Sequence, residues 1–193
     1  MTLRIQQFEA FRDDQRALAI AKAVINAKIA SSFEVLARLR SHDDDPGTEY
    51  DGRQVSVAGQ LAKIANAQTI EELDDGHEGT AVLDYFAALM CFNRSEVKWQ
   101  GRKQHPAKNP LNALLSFAYT LVMHEAAALL EGLGLNPYLG FLHQMGYGRV
   151  SLALDVMEPF RAPVADRLVL KLFNKRVNKP PILNAARNAP VSF

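Results

Sequence analysis

Gly140-Phe141-Leu142-His143-Gln144, followed by Gly148-Arg149-Val150-Ser151-Leu152-Ala153-Leu154-Asp155-Val156-Met157-Glu158, is the stretch that decides how the chain is read. A histidine comes first. Then an apolar run with helical character is interrupted by two acids. Asp155 and Glu158 are three residues apart, so a helix places them on one face. Carboxylates set among Leu152, Leu154, Val156 and Met157 are costly unless a cation or hydrogen bonds compensate them. A divalent metal is the simplest partner, with His143 as a third ligand. The plainer alternatives are an ion pair with Arg149 or Arg161 and a hydrogen-bonded structural role for the histidine.

The chain has 193 residues, room for one sizeable core, and 48% apolar against 22% charged residues, the balance of an ordinary globular protein. Its single cysteine, Cys91, excludes an internal disulfide framework and suits a reducing cytosol, so a cytoplasmic location is expected. No signal peptide opens the chain. The most apolar segment, Leu111 to Met123, is too short to span a bilayer, and no membrane partner is expected.

Helical spacing dominates. Leu18, Ala21, Ile25 and Ile29 predict a first long helix over 13–39, with a bend at Ser31-Ser32. Asp43-Asp44-Asp45-Pro46-Gly47 reads as an acidic loop. A second helix follows over 55–67. Thr69 and Glu72 then stand in capping-box positions for a short third. Another is expected over 78–89, with Asp75 as cap and Glu78 three residues on, where a glutamate often does nothing more than cap. The functional alternative for Glu78 is a metal ligand, with Gly79 leaving room beside it. Asn109-Pro110 opens a helix reaching about Leu133, read as the central core helix from Leu111, Leu114, Leu115, Ala118, Leu121 and Val122. Pro159 is expected to end or kink the helix after His143, and 164–173 forms a last amphipathic helix. Only 49–57 alternates weakly, enough for a small hairpin. The fold class is therefore all-α: a single helical domain over 1–193, with 174–193 as a flexible basic tail.

The net charge of +1 hides an uneven distribution. Arg94, Lys98, Arg102, Lys103 and Lys108 make an exposed, mobile basic loop around Trp99 and His105. From Arg161 onward seven basic residues face one acid, Asp166. A basic surface beside buried carboxylates suits a metal-dependent enzyme acting on nucleic acid: the cations hold phosphates and the acids hold the metal.

Several motifs carry a more specific resemblance. They are Gly76-His77-Glu78-Gly79 with Tyr85-Phe86, Asn109-Pro110-Leu111-Asn112-Ala113-Leu114-Leu115-Ser116-Phe117-Ala118-Tyr119-Thr120, Gly140-Phe141-Leu142-His143, and Ser151-Leu152-Ala153-Leu154-Asp155-Val156-Met157-Glu158-Pro159-Phe160-Arg161, with Val164-Ala165-Asp166-Arg167 and Asn174 trailing. In this order they resemble the CRISPR adaptation integrases, the Cas-one family, over essentially the whole chain. The resemblance implies a helical catalytic domain holding magnesium or manganese on a glutamate, a histidine and acids. Those positions fall here on Glu78, His143, Asp155 and Glu158. It implies insertion of prespacer DNA into a CRISPR array at the repeat and leader, by attack of a prespacer 3′-hydroxyl on a repeat-end phosphodiester. It also implies metal-dependent endonuclease activity, a homo-oligomer, and a small Cas-two companion. Family members begin with a β-rich domain that builds the dimer. Here Met1-Thr2-Leu3-Arg4 leads almost directly into the first helix, as in a fragment or a reduced form.

A hard cation on Glu78, His143 and one or both of Asp155 and Glu158 fits this chemistry, with Glu158 bound directly or through water. Arg149, Arg161 and Gln144 are candidate phosphate contacts, and Tyr119 and Tyr147 candidate contacts to backbone or base. Arg102, Lys103, Arg167 and Lys171 complete the expected DNA-binding surface. A stand-alone metal-dependent nuclease and a non-catalytic DNA-binding homologue are the competing functions.

Overall fold

The computed structural model describes residues 2–41, 50, 67–73, 79–99, 101 and 109–175. Every regular element among them is helical. Helix α1 covers Thr2–Arg12 and α2 covers Asp14–Arg40. Helix α3 is Ile70–Leu73, α4 is Gly79–Met90 and α5 is Pro110–Gly132. Helix α6, Ser151–Phe160, passes through a π-helical turn, Arg161–Asp166, into α7, Arg167–Asn174. The expected helix over 55–67 apart from Ala67, the hairpin over 49–57 apart from Tyr50, and the tail beyond 175 lie outside the described residues.

Helix α2 organises the core. Its apolar stripe, Ala21, Ile25, Ile29, Val35 and Leu36, is buried and faces α6 and the π-turn. Separate from α2 stands α1, which the sequence reading did not divide off. Asp13 makes the break: its carboxylate accepts from the amides of Gln15 (3.1 Å) and Arg16 (3.2 Å), capping α2. The bend at Ser31-Ser32 does not occur. Both hydroxyls donate back to the Lys28 carbonyl, at 2.9 and 2.8 Å, and the helix runs on unbroken. Thr69 caps α3 through the Glu72 amide at 3.2 Å, but Glu72 reaches back to the amide of Gln68, one residue earlier than a simple capping box has it.

Helix α5 is not the central core helix. It buries Leu111, Leu115, Tyr119, Ala126 and Leu130 along one edge, while Phe117, Leu121, Leu129 and Leu133 are exposed. Its apolar residues surround more of the helix than its neighbours α6, the π-turn and α7 can cover. At 23 residues it is also long and apolar enough, by length and composition alone, to cross a bilayer, which the shorter span Leu111–Met123 did not anticipate.

Pro159 stands one residue before regular α6 gives way, at Phe160, to the π-helical turn, in keeping with the end or kink expected there. It lies inside the helix, and the wide turn that follows holds Pro163 as well. A proline lacks an amide donor and crowds the preceding turn. The π-turn carries the chain past both prolines, and the amphipathic helix expected from 164 starts as regular helix only at Arg167.

The basic loop is anchored where it is described. The Asn174 side chain accepts from the Arg94 amide at 2.8 Å and donates to the Phe92 carbonyl at 2.9 Å. Trp99 stacks on Phe86 at 5.3 Å. Asn109 and Asn112 donate to the carbonyls of Lys98 and Gly101, at 2.8 and 2.9 Å.

Candidate functional site

The site grows from the loop before α6. Gln7 of α1 holds its start: the side-chain amide donates to the carbonyls of Asn136 (2.9 Å) and Leu139 (3.0 Å), and its oxygen accepts from the Asn136 amide at 2.8 Å. The Pro137 carbonyl accepts from the Leu152 amide at 2.9 Å, satisfying a donor at the start of α6. Gly140 then presses against the helix. A Cβ there would lie 2.7 Å from backbone and side-chain carbons of Ser151 and 2.9 Å from Asp155 Oδ2, so only glycine fits.

Asp155 is 1% exposed, and its partners among the described residues lie in this loop. Its Oδ2 accepts from the amides of Phe141 (2.6 Å) and Leu142 (3.1 Å). Its Oδ1 accepts from the His143 amide at 2.9 Å and contacts His143 Nδ1 at 2.8 Å. A carboxylate beside Nδ1 favours the proton on that nitrogen, which leaves Nε2 with its lone pair. Both carboxylate oxygens are thus committed to holding the loop and orienting the ring.

Glu158, one turn on, is equally buried but meets cations. Its Oε1 accepts from Arg161 at 2.7 Å. Lys28 Nζ, from α2, lies 2.6 Å from Oε2, and at that distance the ammonium serves as its partner. His143 Nε2 stands 3.9 Å from Oε1. Burial pushes the Glu158 carboxyl up, but Lys28 and Arg161 outweigh it and hold the group below the ordinary value. For Arg161, burial works against the charge, yet Glu158 more than offsets it and the guanidinium is held the more firmly protonated.

Behind Arg161 lies a polar layer that the sequence reading did not find. The guanidinium stacks 4.2 Å above the Tyr119 ring. The Tyr119 hydroxyl donates to Asp166, as does that of Tyr85 at 3.0 Å. Burial, reinforced by Asp166, raises the Tyr85 hydroxyl well above its ordinary pKa. Tyr119 is therefore a support, its hydroxyl spent on Asp166, whereas Tyr147 is fully exposed. Tyr119 reads from the sequence as a candidate contact to DNA and Tyr85 only as part of a motif, and nothing local in the sequence ties either to Asp166.

His143, Glu158, Arg161 and Arg149 open on one cleft of about 380 Å³, walled by Ser116, Tyr119, Thr120 and Met123 of α5. Gln144 is exposed beside it, and Arg167 and Lys171 are exposed on α7. Arg161 faces the cleft but is paired with Glu158. Glu78, Arg102 and Lys103 lie outside the described residues. Among the described residues no three metal-ligating side chains converge. The donor pair that remains, His143 Nε2 with Glu158 Oε1, sets an imidazole 3.9 Å from a carboxylate oxygen, two groups that can both ligate a divalent cation.

Residues 1–188 match the family model described as CRISPR associated protein Cas1. The chain belongs to the Cas1 family. A CRISPR-associated endonuclease Cas1 of Moorella thermoacetica is 36% identical over 181 residues, covering 90% of this chain and 52% of the relative. The chain thus spans about half the length of that Cas1. A casposase bound to integration product superposes with a TM-score of 0.76 at 28% identity, over 89% of this chain and 47% of that one. A chain of a Cas6-RT-Cas1–Cas2 complex superposes at 0.77 with 25% identity, over 88% of this chain and 18% of that one.

Proposed function

We propose that this Cas1 chain carries the catalytic centre of a DNA endonuclease and integrase of CRISPR spacer acquisition. The observation that carries the reading is the cleft in which an oriented imidazole faces a buried carboxylate between two arginines, in a member of the Cas1 family. The substrate is a DNA phosphodiester. Arg149 and Arg161 border the cleft and supply positive charge to the phosphate oxygens. Gln144, Arg167 and Lys171 are exposed and offer further polar and positive contacts to the strand, and Arg102 and Lys103 are candidates for the same role.

His143 and Glu158 would hold a magnesium or manganese ion, with Glu78 as the further candidate ligand. When bound, the ion withdraws charge from the phosphate and eases ionisation of the attacking oxygen. Asp155 is the positioning residue: it fixes the imidazole so that Nε2 faces the cleft. In the joining reaction a prespacer 3′-hydroxyl loses its proton and forms a bond to phosphorus. The bond from phosphorus to the repeat 3′-oxygen breaks, and that oxygen leaves as a new 3′-hydroxyl after taking a proton. With water as the nucleophile the same centre cleaves. Joining at two repeat ends needs two centres, which supports a homo-oligomer. Likeness to a chain assembled with Cas2 supports that companion as partner.

The test is a 3′-hydroxyl duplex incubated with a supercoiled CRISPR array plasmid and magnesium or manganese. Joined products are expected, and His143→Ala should abolish joining and cleavage while the helical circular dichroism is kept. Full activity of that variant would refute the assignment; nicks without joining would leave only the endonuclease.

A further inference from the structure

Lys28 is an unusual residue for the place it occupies. It sits on the buried stripe of α2 between Ile25 and Ile29 and is 9% exposed. Its backbone is fixed by the two serine hydroxyls that donate to its carbonyl. Its ammonium reaches Glu158 Oε2 from the side opposite Arg161, which holds Oε1. Lys28 and Arg161 thus both meet this buried carboxylate, and Arg161 is also under the influence of Asp166. A doubly positive ion brought to Glu158 and His143 meets both of them at close range, in surroundings where screening is weak. Arg161 lines the cleft, with its side chain 23% exposed and stacked on Tyr119. Lys28 is the more confined, at 11% side-chain exposure.

We propose that Lys28 is a resident counter-ion of Glu158 with which a divalent cation must compete, so that this lysine of α2 sets the metal affinity of the cleft. The proposal rests on the metal reading of the cleft given above. Its consequence is that the ion is held weakly by the protein alone and strongly once a DNA phosphate adds negative charge. Lys28 thereby couples metal binding to substrate binding.

The experiment is a titration of the full chain with Mn2+ alone, free ion being followed by electron paramagnetic resonance. Lys28→Met keeps the length and apolar stem and leaves Glu158 paired with Arg161. It should bind Mn2+ about tenfold more tightly than the parent, while Lys28→Arg stays near the parent value. Equal or weaker binding by Lys28→Met overturns the proposal. His143→Ala separates this failure from that of the underlying reading: if Mn2+ binding does not depend on His143, the ion does not sit in this cleft and both fall. Should Lys28→Met not fold, the parent chain still decides. The Lys28 ammonium resonance, identified by its loss in Lys28→Arg, should move on saturation with Mg2+, and an unmoved resonance overturns the proposal.

Discussion

Asp155 and Glu158 stand one turn apart on α6, each 1% exposed, and they are compensated in opposite ways. Asp155 takes three backbone amides and an imidazole nitrogen, all from residues 141–143. Glu158 takes an ammonium and a guanidinium from two other elements. Backbone amides are fixed dipoles that travel with the fold; cations on long side chains can be exchanged for other cations. The first arrangement builds a loop and aims a ring. The second leaves a carboxylate whose partners can be replaced. Identical burial and near-identical chemistry thus divide into an acid held by fixed amide dipoles and an acid held by side-chain cations.

The comparison breaks first at Asp155. Asp155→Ala strands four donors, and a buried donor without an acceptor is worth roughly 1–3 kcal/mol. Part of the loop can turn to water, so a loss of about 4 kcal/mol is expected in urea unfolding. Asp155→Asn keeps one acceptor oxygen and should lose about half as much. If Asp155→Ala were nearly neutral, the loop would be held by something else and the division between the two acids would fail.

Gly140→Ala attacks the same anchor from the loop side. The added methyl meets Ser151 carbons at 2.7 Å and Asp155 Oδ2 at 2.9 Å. Relief requires the loop to lift from α6, at about 2–3 kcal/mol. Amide exchange at residues 141–143 should accelerate well beyond that of α2. Uniform acceleration across the chain would mean simple global destabilisation instead.

On the Glu158 side, Tyr119→Phe is the sharper probe. It removes the hydroxyl that donates to Asp166 and keeps the ring under Arg161. A buried hydrogen bond to a carboxylate is worth about 1.5–3 kcal/mol, and Asp166 retains Tyr85, so about 1–2 kcal/mol is expected in thermal or urea unfolding. Tyr119→Leu should lose more, because the stacking goes too. Equal losses would show that the ring contributes nothing to holding Arg161.

How much of this could be read from residues alone follows from the range of the interactions. The helices were legible because periodicity is local: Ala21, Ile25 and Ile29 announce α2, and Asn109-Pro110 announces the start of α5. The centrality of α5 was misjudged because an all-round apolar helix looks buried whether or not neighbours cover it. The π-turn is not legible because Pro159 marks an end or a kink without saying how the chain continues. At the site, His143 and Glu158 were singled out correctly as neighbours, since spacing brings α6 back under its own loop. Lys28 carries no signal in the sequence, and Tyr85 and Asp166 stand there only as motif residues without a role: they join the site from α2, α4 and the π-turn through tertiary packing. Asp155 was named a ligand by its residue type, and the three amides that claim its oxygens belong to a loop whose path no pattern fixes.

The smallest expected effect is a slope with pH. Glu158 is depressed in the folded chain, with burial opposing the shift and Lys28 and Arg161 overcoming it. A carboxyl that ionises more readily folded than unfolded stabilises the fold when both states are charged, which holds above the ordinary glutamate value of 4.5. That contribution fades as the pH falls below 4.5 and through the lower folded value, because the unfolded chain takes up its proton first. The stability difference between the parent chain and Glu158→Gln should accordingly be flat from pH 6 to 8, on the order of two units above the unfolded titration, and shrink under acid conditions. Urea unfolding across that range measures it. A difference that stays constant into acid would mean that Glu158 is not held by charge, and the contrast with Asp155 would reduce to a difference in hydrogen-bond partners.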